Sequence, residues 1–157
     1  MQDKPNPLVS QLGQQGWYPD DPEELIKVLT KDVDISSTER SYNTKAIICP
    51  HAGYTYCGEV FAKGIKTIQN NSYTKAIIIG PSHYMAIKDQ AILTTYTGIQ
   101  TPLGTQFIDQ ICIDQLKDQP HFQTNDAVHD PEHSIQMHIP FLQAVFPELP
   151  IIPIIIG

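Results

Sequence analysis

Two short stretches of the chain share one hydrophobic pattern. Lys45-Ala-Ile-Ile-Cys-Pro-His51 returns as Lys75-Ala-Ile-Ile-Ile-Gly-Pro-Ser-His83. Each copy is a lysine, then an unbroken and mostly β-branched apolar run, then a proline and a histidine. Apolar runs without alternation suit strands buried on both faces, as in parallel sheets. The pattern predicts strands over 45–49 and 75–79. Between them Val60, Phe61, Gly64, Ile65 and Ile68 recur at helical spacing, which predicts a helix over 57–69. Residues 45–79 thus predict one βαβ unit, right-handed as such crossovers are.

The pattern continues on both sides. Residues 1–16 are polar and rich in Gln, Pro and Gly, which predicts a loosely packed arm over 1–15 before the aromatic Trp17-Tyr18-Pro19. Asp21 can cap a helix with Pro22 in its first turn and Glu24 in the capping-box position. Leu25, Ile26, Val28 and Leu29 give that helix an apolar face, and it should fade in the polar stretch 34–44. Downstream, 89–95 predicts a weaker strand, and Thr101-Pro102-Leu103-Gly104 a turn. Phe107, Ile108, Ile111 and Leu116 mark a helix ending near Gln119-Pro120, and 120–132 is a polar loop. Ile135, His138, Ile139, Leu142, Val145 and Phe146 mark the last helix, with a kink at Pro140.

Pro150-Ile-Ile-Pro-Ile-Ile-Ile-Gly157 reads as a closing buried strand. Strands alternating with helices predict an α/β fold, a mostly parallel central sheet flanked by helices. The length of 157 residues suits one domain, 1–157. A chain that stops on a buried strand has two readings. The strand sits centrally in a short domain, or the sequence is the amino-terminal part of a longer protein, and the second is favoured.

Charge narrows the function classes. A net charge of −7, spread along the chain, argues against nucleic acid and against anionic membranes, which need clustered Lys and Arg. The longest apolar stretch is too short for a bilayer and is broken by prolines. Three cysteines, Cys49, Cys57 and Cys112, form no close pair, so a cytoplasmic setting is the expectation. There is no P-loop, no GxGxxG and no GxSxG.

The histidines point to chemistry. In a parallel sheet the carboxyl ends of strands form the ligand edge, and both runs end there with a histidine. His51 and His83 therefore read either as two metal ligands on adjacent strand ends or as two structural histidines bonding backbone in βα loops. A catalytic site needs at least one more ligand. Glu132, His133, His138, Cys57 and Asp130 are the candidates. Glu132 and His133 stand at a helix start, where a side chain can point back to the strand ends. His138 lies on the apolar face with Ile135 and Leu142, which favours a core or supporting role. Cys57 is a lowered-pKa thiol or a small buried hydrophobe. Tyr54 and Tyr56 either flank a bound ring or pack the helix onto the sheet, and Ser82 can bond a polar neighbour in its turn. His121 and His129, in polar stretches, read as surface residues.

Three segments together carry a family resemblance: Pro50-His-Ala-Gly-Tyr-Thr-Tyr-Cys-Gly58, Gly80-Pro-Ser-His83 and Glu132-His-Ser-Ile-Gln-Met-His-Ile-Pro140. With Gly16-Trp-Tyr-Pro19, Thr101-Pro-Leu-Gly104 and the closing strand, they resemble the Memo-like proteins from about Gly16 to Gly157. The eukaryotic member is a mediator of receptor-driven cell motility, and prokaryotic members are often called AmmeMemoRadiSam system protein B. The resemblance implies a fold similar to the class III extradiol (LigB-like) dioxygenases, which hold ferrous iron with two histidines and a carboxylate. It implies that His51 and His83 bind iron or copper in a dioxygenase-like oxidoreductase site. It also implies a cysteine ligand and a further histidine in a carboxyl-terminal half that this chain ends before. Glu132, His133 and His138 would then be catalytic or supporting. Trp17 and His51 resemble positions with which the eukaryotic member binds phosphotyrosine-containing peptide, so Trp17 and Tyr54 are candidate ligand-binding residues for a peptide or phenolic ring. The alternatives are a binding module without turnover, or a scaffold with a protein partner in a radical-SAM-linked system.

Overall fold

The computed structural model describes residues 6–31 and 43–157. The order of elements is β1 (Leu8–Val9), α1 (Pro22–Thr30), α2 (Tyr54–Lys66), β2 (Ala76–Pro81), β3 (Ala91–Leu93), β4 (Gly98–Thr101) and β5 (Gly104–Phe107). Then follow α3 (Gln110–Leu116), β6 (Phe122–Thr124), α4 (Asp126–His129), α5 (His133–Gln136), α6 (Ile139–Val145) and β7 (Ile151–Ile156). The α/β class expected from the alternating pattern is the observed one.

The strands form two sheets. The larger has the order β2-β7-β3-β6, and the smaller β1-β4-β5. β7 lies between β2 and β3, parallel to the first over all six residues and antiparallel to the second. Its Ile151, Ile152, Pro153, Ile154 and Ile155 are all buried, which is what an unalternating aliphatic run needs. The four isoleucines join Ile78, Leu93, Ile135 and Ile139 in one core. A second core joins α1, α2 and α6 through Leu25, Leu29, Tyr54, Phe61, Ile65 and Phe141.

Local chemistry explains the helix starts. The Asp21 carboxylate accepts the amides of Glu23 and Glu24 at 3.0 and 2.9 Å, capping α1 just before Pro22. The last helical pattern divides in two. α5 ends at Gln136, and α6 begins at Ile139 with Pro140 in its first turn, where a missing N–H costs no helical bond. Pro140 therefore starts a helix where a kink was expected.

Four further expectations are corrected. Residues 45–49 are not in a strand, so the βαβ unit lacks its first strand. An apolar run makes a strand only with a hydrogen-bonding neighbour, and this one faces β2 across a cavity of about 440 Å³. The polar amino-terminal stretch is no loose arm over its described part, because Leu8 and Leu12 are buried, β1 pairs with β4, and Ser10 Oγ meets the Tyr18 hydroxyl at 3.0 Å. Residues 98–107 form a hairpin around the predicted turn, so the following helix begins only at Gln110. His129 is 3% exposed and its Nε2 lies 3.0 Å from the Ile92 carbonyl, making it a core residue. α1 ends at Thr30, ahead of the polar stretch 34–44 in which it was expected to fade and of which 34–42 lie outside the described residues.

Candidate metal centre

Three loops meet above the carboxyl end of β2. His51 follows the unpaired run, His83 follows β2, and His133 opens α5. The ring centroids are 5.1 Å apart for His51 and His83, 5.6 Å for His51 and His133, and 4.3 Å for His83 and His133. One nitrogen from each ring lies within 4.8 Å of the others. Imidazoles on one ion, at metal–nitrogen distances of about 2.0–2.1 Å, stand roughly 3 Å apart, somewhat closer than the limit seen here.

Backbone contacts fix the three loops. The Tyr54 amide donates to the Trp17 carbonyl at 2.9 Å, which ties the turn after His51 to the segment before α1. Gly53 allows this approach, since a Cβ there would stand 3.3 Å from the same oxygen. Gly80 allows the second approach. A Cβ on Gly80 would fall 2.3 Å from Ser134 Oγ, so α5 sits directly on the end of β2. Ser134 Oγ also donates to the Pro81 carbonyl at 3.0 Å. These contacts bring His133 beside His83.

Glu132 organises the centre. Its side chain is 1% exposed. Oε2 accepts the His83 amide at 2.6 Å, and Oε1 accepts the Ser134 amide at 2.8 Å, capping α5. Oε1 also lies 2.9 Å from His83 Nδ1. Burial pushes the Glu132 carboxyl up, but the bonds from the His83 and Ser134 amides and the His83 ring outweigh it and hold the group below the usual carboxylate range. An ionised Glu132 fixes the His83 tautomer with its proton on Nδ1, leaving Nε2 free as an acceptor. Burial keeps the His51 imidazole below its ordinary value, and neighbouring His83 adds to this. Burial also lowers His133, against the pull of Glu132. Neutral imidazoles are the form a cation needs.

The chemistry of this donor set fits a divalent ion. Three imidazoles converge, one is oriented by a buried carboxylate, and His133 Nδ1 is buried without a hydrogen-bond partner. Soft thiolate donors are absent from the group, and imidazole suits iron, copper and zinc.

The other candidates go elsewhere. Trp17 stacks on His133 at 4.5 Å and forms a wall of the centre. Tyr54 is buried between Tyr18 and Phe141, and its hydroxyl donates to the Met137 carbonyl at 2.7 Å, so it packs α2 against the rest of the protein. His138 stacks on Phe61 at 4.8 Å, outside the group of three. Cys57 is buried, donates to the Ala52 carbonyl at 3.0 Å, and burial raises its thiol, which removes the lowered-pKa reading. Ser82 closes its own turn by donating to the Met85 carbonyl at 2.6 Å. The pattern pointed past one residue: Tyr84 is 55% exposed and its ring lies 5.8 Å from His133, on the open side of the centre. Its only signal in the sequence is its place directly after His83.

Comparison with known proteins agrees with these motifs. The family described as Memo-like protein matches residues 13–157. The chain is 35% identical over 144 residues to the protein memo-1 homolog of Caenorhabditis elegans, covering 90% of this chain and 41% of that protein. It is 33% identical over 153 residues to a MEMO1 family protein of Methanobrevibacter smithii, covering 90% and 54%. It is 32% identical over 146 residues to protein MEMO1 of Xenopus laevis, covering 90% and 48%. The chain therefore spans about half the length of the curated relatives it matches. It belongs to the Memo-like family.

Proposed function

We propose, with membership of the Memo-like family as the premise, that this chain carries the histidine part of a metal-dependent oxidoreductase site. One observation supports this most: ligand atoms of His51, His83 and His133 lie within 4.8 Å of one another. His51 and His83 are the two ligands supplied by the repeated runs, and His133 is the third. Glu132 holds His83 in its ligating tautomer and, being ionised, offsets part of the ion's charge. An iron or copper ion held by His51, His83 and His133 would supply Lewis acidity and one-electron chemistry.

The remaining residues shape access. Trp17 covers one face of His133, and Tyr84 borders the open side, where a phenolic ring could lie edge-on to the imidazole. The working protein is the longer one, of which this chain is the amino-terminal half, and its substrate belongs to that whole protein. We place it in the cytoplasm, which its free cysteines support. Among the described residues no helix is long and apolar enough to cross a membrane.

Metal analysis tests the proposal. Protein loaded anaerobically with ferrous iron, or with cupric ion, should retain about one ion per chain. His51→Ala and His83→Ala should each retain less than about a tenth of that, since each removes one ligand of a small donor set. Equal metal in the parent and in His51→Ala would refute it.

A further inference from the structure

The cavity between residues 45–49 and β2 has the form of an unfilled strand position. Its two walls run side by side in the same direction, because both of their ends are joined. At the start the Tyr73 hydroxyl donates to the Thr44 carbonyl at 2.7 Å. At the finish the rings of His51 and His83 meet. Both bridges use long side chains, and no backbone pairing joins the walls between them. The cavity of about 440 Å³ lies in that interval, lined by Ala46, Ile48, Ile77, Ile79 and other apolar groups.

β2 presents a free edge to this space. Among the described residues it pairs with β7 alone. The Ala76 amide donates to the Pro150 carbonyl and the Ser82 amide to the Ile156 carbonyl, both at 3.0 Å. By alternation, the N–H and C=O groups of Ile77 and Ile79 point away from β7, towards the cavity. The side chains of Ile77 and Ile79 are 61% and 59% exposed, and Ile48 is fully exposed. An exposed aliphatic edge with unpaired amides is a template for one more strand. His138 adds a polar requirement, since it lines the same cavity and its Nδ1 is buried without a partner.

We propose that this slot receives one extended β-strand, rich in β-branched residues, from the carboxyl-terminal half of the longer protein. The inference rests on the reading above that this chain is the amino-terminal half. Relatives about twice as long supply the needed polypeptide: the worm protein and the Methanobrevibacter smithii protein leave 59% and 46% of their length outside the aligned region. Insertion would pair β2 with a second neighbour and turn residues 45–49 into the strand their sequence describes. It would join the runs carrying His51 and His83 through one continuous sheet.

Amide exchange on the chain, alone and mixed with the separately produced polypeptide that follows residue 157, tests this. In the chain alone the Ile77 and Ile79 amides should exchange far faster than those of Ile78 and Gly80. On mixing, Ile77, Ile79 and Ile47–Cys49 should slow by at least tenfold. Ile77→Pro removes an N–H that β7 does not use, and should weaken association with the added half by at least tenfold. Unchanged exchange on mixing overturns the proposal. So does equal association of Ile77→Pro, or protection in the chain alone that grows with its concentration, which would mark a second copy as the occupant. Metal content of the same mixture separates the two readings: a complex that binds metal with Ile77 and Ile79 still unprotected refutes the inserted strand and leaves the metal centre standing.

Discussion

Residues 45–50 and 75–81 begin with the same four residues, and each leads to one histidine of the candidate metal centre. They differ in what lies beside them. The second run is β2, hydrogen-bonded along its length to β7, with Ile78 8% exposed in the core. Among the described residues the first has no strand partner, and its Ile48 is fully exposed. An aliphatic β-branched run sets a preference for extended backbone, but burial and pairing come from a neighbour. Where β7 is present the preference becomes a strand, and where the neighbour is missing it becomes one wall of a cavity.

The largest effect should come from the core of the paired run. Ile78→Ala removes a buried side chain and should cost about 2–4 kcal/mol, read as a lower urea midpoint. The equivalent change in the unpaired run, Ile48→Ala, should stay within about 0.5 kcal/mol, because no burial is lost. Equal losses would mean that the two runs are equally packed, and the contrast would fail.

The elements that were legible in the sequence are those whose partners are also in it. β2, β7, α1 and α2 announce themselves by aliphatic runs, by the Asp21 cap and by helical spacing, and each finds its packing surface within the described residues. Residues 45–49 carry as strong a signal as β2 and still form no strand, since pairing is not a property of the run itself. The β4–β5 hairpin was obscured because its strands are short and polar, and only the turn between them has a signature. His129 looked exposed because its neighbours are acids, whereas its ring caps an Ile92 carbonyl inside the core. At the site, His51 and His83 could be found from repetition. His133 and Glu132 could be placed near the strand ends, but their division of labour depends on how closely α5 meets Gly80, a distance that no residue pattern encodes.

A second break in the comparison acts on only one of the two histidines. Glu132 holds the backbone and ring of His83 and has no hydrogen bond to His51. Glu132→Gln keeps the shape and removes the charge. It should weaken metal binding about 10–100-fold, as loss of an orienting carboxylate does, measured by competition with a chelator. Affinity equal to that of the parent would show that His83 needs no such support.

The smallest effect concerns acid. Burial holds His138 down at about 4 and also lowers His129, against an ordinary value of 6.5 for both. A histidine with a depressed folded-state pKa contributes stability fully present above its unfolded pKa and lost as pH falls towards the folded one. Stability should therefore be flat above about pH 7.5 and fall by about 1 kcal/mol for His138 as pH drops to 5.5, with His129 adding to the fall in the same direction. A stability profile flat from pH 7.5 down to 5 would contradict the assignment of both as buried neutral histidines.

The central claim is that a histidine on the unpaired run and a histidine on the sheet share one ion with His133. Pulsed electron paramagnetic resonance of the cupric protein counts coordinated imidazoles directly. The account predicts a signal from three imidazoles in the parent and from two in His51→Ala and in His83→Ala alike. An imidazole signal unchanged by His51→Ala would contradict it.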